Sequence, residues 1–173
     1  KAFPISIDVG TVKDYARGTE INFTFNDGTD LYKEVRAAKS SGLVVAAKIG
    51  RLDYTKAFIE NMLIAERLSQ MGMPIKYFVI AAPSREGLEA YRKVSYDTIA
   101  LAQEINRRNY ERLGYDIIFL RNDGIPFGES LVCFMRDCDI YLDASKTDGK
   151  HLTPEEAIIA KSVLPYEQRG VVV

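Results

Sequence analysis

The chain has 173 residues, 47% of them hydrophobic, with 23 basic and 24 acidic side chains and a net charge of −1. That length is enough for one domain with its own core. The balanced charge gives no global electrostatic drive toward nucleic acid or an anionic membrane, and no apolar run approaches the ~18 residues that span a bilayer; no signal peptide is visible.

The stretch from Lys1 to Val9 reads as extended, with Pro4 blocking an early helix. Val9 to Ala16 has the pattern of a short helix closed by Gly18. Glu20 to Phe25 alternates polar and apolar residues and then meets the turn signal Asn26-Asp27-Gly28, which fits a short hairpin arm or an irregular excursion. Leu31 to Ser40 is a short helix ending at Ser41-Gly42. Residues 1–42 are accordingly expected as a crossover and lead-in, and residues 43–173 as the domain proper.

From Leu43 onward the pattern is regular. Leu43 to Ile49 is nearly all apolar, as a strand covered on both faces should be. After the loop Gly50 to Lys56, a helix places Phe58, Ile59, Met62, Leu63 and Leu68 on one side and stops at Gly72. A second strand, Ile75 to Ala82, ends at Pro83-Ser84-Arg85. A long helix with Tyr91, Val94, Thr98, Leu101, Ala102 and Ile105 at spacings of three and four follows, with Gly114 as its stop. The remaining elements are a strand at Asp116 to Leu120, the loop Arg121 to Gly128, a helix at Glu129 to Arg136 and a strand at Asp139 to Leu142. Cys133 and Cys138 lie there without the spacing or companions of a metal site, and His151 is the single histidine, so both are expected as buried, reduced thiols in a cytoplasmic protein. A polar loop from Asp143 to Leu152 leads into a helix starting at Thr153 or Pro154, and Val171 to Val173 would be a fifth strand. A chain that starts at Lys1 and stops inside a strand is expected to be a piece of a longer polypeptide. Strands alternating with helices predict an α/β fold, a Rossmann-like parallel sheet with helices on both faces and right-handed crossovers.

Three loops would emerge on the carboxyl edge of such a sheet, where open α/β folds bind ligands. The first, Gly50-Arg51-Leu52-Asp53-Tyr54-Thr55-Lys56, carries a planar arginine fork and a compact lysine charge, a pair suited to a diphosphate. Position and spacing also fit an exposed basic turn paired with Asp53. The second loop offers Arg85. The third offers Gly149 just ahead of a helix start, where free N–H groups and the helix dipole favour an anion. No P-loop and no G-x-G-x-x-G is present. Thr153-Pro154-Glu155-Glu156 has the form of a capping box, with Glu156 in a structural role. Lys150 and His151 fit ordinary loop residues, and Tyr54 a place at the pocket rim.

Arg51-Leu52-Asp53-Tyr54-Thr55-Lys56 resembles the R-L-D-Y-[ST]-K signature of trehalose-6-phosphate synthases, retaining two-lobed glycosyltransferases that act in trehalose biosynthesis. Ala81-Ala82-Pro83-Ser84-Arg85-Glu86-Gly87 resembles their A-P-[ST]-S-R segment, with Glu89-Ala90-Tyr91 continuing the match. Asp148-Gly149-Lys150-His151-Leu152 with Glu156 is similar to their D-G-M-N-L-V-A-K-E, and Phe3-Pro4-Ile5 to the crossover between lobes. The resemblance covers most of the chain in order, and only the carboxy-terminal lobe of the glycosyltransferase B fold.

What the resemblance implies falls on matching positions. Arg51 and Lys56 would hold the donor diphosphate and stabilise the leaving group. Asp148, Gly149, Lys150, His151 and Leu152 would hold donor sugar and phosphate oxygens, Glu156 the ribose, and Arg85 the phosphate of the acceptor. The substrates would be a UDP- or GDP-sugar and a sugar phosphate, with no metal, cofactor, nucleic acid or membrane involved. The partner would be the amino-terminal lobe, which carries the family's catalytic acid, so this fragment alone is expected to be inactive. Ala57 departs from the glycine after the signature lysine, Lys150-His151 from Met-Asn and Thr147 from an arginine, and Pro154 removes one N–H from the helix start. These departures fit a divergent member, and the alternative is a non-catalytic nucleotide-sugar-binding module or pseudo-glycosyltransferase.

Overall fold

A computed structural model describes residues 6–85, 87–146 and 152–173. Five parallel strands stand in the order β3-β2-β1-β4-β5: β1 is Val44–Arg51, β2 Ile75–Ala82, β3 Ile118–Arg121, β4 Ile140–Tyr141 and β5 Val171–Val172. The helices are α1 Val9–Ala16, α2 Leu31–Ser40, α3 Phe58–Gln70, α4 Glu89–Leu113, α5 Glu129–Asp137 and α6 Leu152–Lys161. The expected alternation and all five strands are present, with ends that differ by at most two residues because strand boundaries depend on neighbours as well as on pattern.

Alternation along the central strands divides the core in two. Val45, Ala47 and Ile49 of β1 with Phe78 and Ile80 of β2 pack among α1, α2, α5 and α6. Ala46 of β1 with Tyr77, Val79 and Ala81 of β2 face α3 and α4. Successive side chains on opposite faces, each face covered by helices, explain why these strands read as apolar runs.

The lead-in region contributes to the same core. Asp8 caps α1 by accepting from the Thr11 N–H at 3.0 Å, and Asp30 caps α2 through the Lys33 N–H at 3.1 Å. Val12, Ala16, Ile21, Phe25, Leu31 and Val35 pack against β1 and β2 residues. The Glu20–Phe25 excursion resolves into a tight turn, with a single antiparallel bridge between Thr24 and Asp30 and Gly28 at φ 87°. Arg136 donates to the carbonyl of Ala16 at 2.7 Å, fastening the end of α1 to α5.

β1 is followed by β2 and β3 on one side, whereas β4 and β5 lie on the other. The chain therefore reverses its direction of sheet growth between β1 and β4. The helices that follow those two strands, α3 and α6, pack on opposite faces of the sheet, which makes the carboxyl ends of β1 and β4 a topological switch point, where open α/β folds form their ligand crevice. Among the described residues no helix is long and apolar enough to cross a membrane, and Cys133 and Cys138 are buried free thiols.

Candidate functional site

The loop after β1 begins in register with β2. Arg51, the last strand residue, lies beside Ala82, and the Leu52 N–H continues the ladder to the Ala82 carbonyl at 2.7 Å. Asp53 then organises the turn: its carboxylate accepts from the Thr55 N–H at 3.0 Å and the Thr55 hydroxyl at 3.1 Å, and its carbonyl accepts from the Lys56 N–H at 3.0 Å. Tyr54–Lys56 is a single 3-10 turn. The carboxylate is occupied in shaping the loop, and among the described residues it makes no ion pair with Arg51.

Arg51 is exposed, whereas Lys56 is only 8% exposed, far below what a solvated basic turn would show. Both line one cavity of about 250 Å³ at the carboxyl edge, together with Gly50, Ala82, Gly124, Phe127 and Thr153. Thr153 belongs to the first turn of α6, so a helix start faces the same cavity as the two cations.

The stretch from Gly124 to Phe127 was not singled out by sequence. Gly124 holds φ 66°, and a Cβ there would lie 3.0 Å from the Ala82 Cβ, so any side chain would strain the loop after β3 where it closes over β2. The Asn122-Asp123-Gly124 turn was its only local signal.

Four further contacts tie β1, the loop after it and the start of α3 to the loop after β4. Lys48, inside β1, is completely buried and pairs with Asp143, whose side chain is 1% exposed. Ser145 also donates to the Asp143 carboxylate, at 2.8 Å. Asn61, in the first turns of α3, is fully buried; its Nδ2 donates to the Ala57 carbonyl at 2.8 Å and its Oδ1 accepts from the Ala144 N–H at 3.1 Å. The backbone N–H of Lys146 reaches the Thr55 carbonyl at 2.8 Å, and the Lys146 amine pairs with Glu60. A lysine within an apolar strand was the one sequence signal for this network. Burial, and then the charge of Asp143, push the phenols of Tyr77 and Tyr141 well above the usual tyrosine range, so both stay neutral beneath the site.

Other expected residues are placed separately. Arg85 is exposed on the loop after β2, with φ 46°, and its Nη1 donates to the Tyr91 hydroxyl at 3.0 Å. It does not line the cavity of Arg51 and Lys56; Tyr91 instead lines a second one of about 350 Å³ on the α4 side, with Leu52, Pro83, Tyr96 and Ile99. Leu152 is the first residue of α6, which places Thr153 inside the helix. The capping-box register for Thr153 and Glu156 is therefore two residues out of step, and Glu156 is half-buried at the fifth helical position. Pro154 sits in the first turn, where a missing N–H costs no intrahelical bond. Asp148, Gly149, Lys150, His151 and Thr147, and the crossover segment Phe3-Pro4-Ile5, lie outside the described residues.

Ala57 occupies φ 52°, ψ 40°. This is left-handed backbone that glycine adopts without strain and alanine at a cost of about 1–2 kcal/mol. The departure from glycine thus leaves the loop conformation in place and loads it.

The profile of glycosyltransferase family 20 matches residues 1–173. A trehalose-6-phosphate synthase of Mycobacterium ulcerans is 28% identical over 167 residues, covering 94% of this chain and 32% of the relative. Among solved structures, an E. coli trehalose-6-phosphate protein bound with UDP-2-fluoro glucose superposes with a TM-score of 0.76 at 25% identity, covering 92% of this chain and 34% of that one. An alpha,alpha-trehalose-phosphate synthase (UDP-forming) from Burkholderia xenovorans in complex with glucose-6-phosphate gives a TM-score of 0.75 at 21% identity over the same shares, 92% and 34%. The chain spans about a third of the length of the relatives it matches.

Proposed function

Because the chain belongs to glycosyltransferase family 20, we propose that it is the donor-binding lobe of an enzyme that transfers a sugar from a nucleoside-diphosphate sugar to a sugar phosphate. The observation that carries this reading is the convergence of Arg51, Lys56 and the start of α6 on one cavity beside the β1/β4 crevice. Three sources of positive potential around a cavity with an apolar wall, Ile125 and Phe127, suit a diphosphate joined to a planar base. The solved relatives described with UDP-2-fluoro glucose and glucose-6-phosphate support a UDP-sugar donor and a hexose phosphate acceptor.

In the reaction, the bond from the anomeric carbon to the diphosphate oxygen breaks and a bond to the acceptor hydroxyl oxygen forms, with the hydroxyl proton released. Negative charge grows on the departing diphosphate, and Arg51 and Lys56 are fixed by strand end and 3-10 turn to meet it. The protein supplies the countercharge, and no cofactor enters the proposal. Asp148, Gly149, Lys150, His151, Leu152 and Glu156 are assigned to the donor sugar and ribose, and Arg85 to the acceptor phosphate. The acceptor pocket belongs to the amino-terminal lobe, and a cytoplasmic setting completes the reading.

The test is calorimetric titration of UDP, GDP and the matching monophosphates into wild type, Arg51→Ala, Lys56→Ala, the double variant and Arg51→Lys. Each charge-assisted contact is expected to contribute about 1.5–3 kcal/mol to diphosphate binding. Arg51→Lys should not rescue, because the planar fork is lost. The double variant should lose less than the sum of the singles, since both cations act on one group. Equal affinity for diphosphate and monophosphate in wild type, or single variants that bind diphosphate normally, would overturn the assignment.

A further inference from the structure

Arg85 is held in a way that an idle loop arginine is not. Its φ of 46° is left-handed backbone, which costs a side-chain-bearing residue about 1–2 kcal/mol. The guanidinium donates through Nη1 to the Tyr91 hydroxyl at 3.0 Å and lies 5.5 Å from the centre of the same ring. Tyr91 in turn meets Tyr54 edge to face, with centroids 6.4 Å apart and planes at 69°. Tyr54 opens the 3-10 turn that ends in Lys56, and the Asp53 and Thr55 on either side of it are fixed by the bonds from Asp53. A continuous run of side chains therefore joins the loop of Arg51 and Lys56 to Arg85.

The chemistry of the guanidinium makes this arrangement specific. Arginine has five N–H donors, and Tyr91 takes one on Nη1. Among the described residues, the edge formed by Nε–H and Nη2–H makes no hydrogen bond, and that edge is the one that pairs with two oxygens of a phosphate. Tyr91 leaves the bidentate edge presented while removing much of the rotational freedom that a long exposed side chain loses on binding.

We propose that Tyr91 is a positioning residue that presents this edge of Arg85 to a phosphate group, and that Tyr54 links its posture to occupancy of the diphosphate loop. The inference rests on the proposed function, since it requires a diphosphate at Arg51 and Lys56 and a second phosphate for Arg85. Its consequence is order: donor bound at the first loop sets the receptor for the acceptor. The two loops leave neighbouring strands, β1 and β2, so the coupling needs no movement of the sheet.

The test reads the Arg85 Nε–Hε resonance directly in the 173-residue chain, assigned by its loss in Arg85→Lys. Spectra of wild type, Tyr91→Phe and Tyr54→Leu are compared without nucleotide and at saturating UDP, saturation being followed on the backbone amides of residues 51–56. Tyr91→Phe keeps the ring and removes only the hydroxyl, and Tyr54 is an exposed side chain, so both variants retain the fold. UDP is expected to shift the Arg85 signal in wild type, and the shift is expected to vanish in both variants while the amides of the loop still report bound UDP. A shift of unchanged size in either variant would overturn the proposal, as would saturation by UDP in wild type with no response at Arg85. Failure of UDP to perturb residues 51–56 at all would instead reject the diphosphate assignment, and the coupling with it.

Discussion

Asn61 gives the sharpest test of how the two loops at the site are held together. Its Oδ1 accepts from the Ala144 N–H and its Nδ2 donates to the Ala57 carbonyl, which also accepts from the Asn61 backbone N–H at 3.0 Å. Replacing Asn61 by leucine, close in shape, therefore leaves the Ala57 carbonyl satisfied but orphans the Ala144 N–H. A part-buried donor left without a partner costs about 1–3 kcal/mol, and that is the expected loss. Asn61→Asp isolates the second half of the bridge. Its carboxylate still accepts from Ala144 but sets a second oxygen against the Ala57 carbonyl, in a position that is 0% exposed. Burial and the facing carbonyl raise the folded-state pKa of the new acid above its unfolded value of about 3.9. A raised folded pKa means stability that is fully present below the unfolded pKa and lost as pH rises through the folded one. The gap between wild type and Asn61→Asp should thus narrow as pH falls from 7 toward 4, where the protonated acid can donate to Ala57. Urea unfolding at a series of pH values measures this, as a difference from wild type. The reference is needed because Glu66 and Asp123, held below the usual carboxylate range by hydrogen bonds from Arg108 and Arg121, weaken every variant in acid. A cost below about 0.5 kcal/mol for Asn61→Leu, within the range of ordinary surface substitutions, would refute the bridge. So would an Asn61→Asp gap that is constant or widens as pH falls.

The Lys48–Asp143 pair should behave as a buried unit. Lys48→Met alone removes the buried ammonium that faces the Asp143 carboxylate and is expected to cost about 3–5 kcal/mol in denaturant unfolding, whereas Lys48→Met combined with Asp143→Leu should cost less than the two singles added together. Additive losses would mean that the two charges do not rely on each other. Gly124→Ala must accept φ 66° and a Cβ 3.0 Å from that of Ala82. It is expected to lose about 1–2 kcal/mol of stability and to weaken UDP binding by displacing the loop that walls the cavity. Unchanged calorimetric affinity would show that this loop does not touch the nucleotide.

Much of this protein was legible along the chain. The apolar runs Leu43 to Ile49 and Ile75 to Ala82, the spacings through α4 and the stops at Gly72 and Gly114 are local signals. Their physics acts between residues a few positions apart, and the observed elements follow them closely. The motif around Arg51 and Lys56 was equally readable, because one short turn shapes it and Asp53 closes that turn on its own neighbours. What the chain did not disclose depends on which strand lies beside which. A lysine in an apolar strand acquires its meaning only when β4 arrives next to β1 and delivers Asp143 from 95 residues away. Asn61 is a polar residue in an amphipathic helix, yet the order of the strands turns it into the buried clasp between α3 and the loop after β4. In α6 the first helical residue is Leu152, which places Glu156 beyond the capping position that its local sequence suggested. Local pattern fixes where elements begin and which face is apolar. A buried charge or amide is stabilised by whichever partner the sheet order brings to it, and that order is decided by the packing of the whole domain.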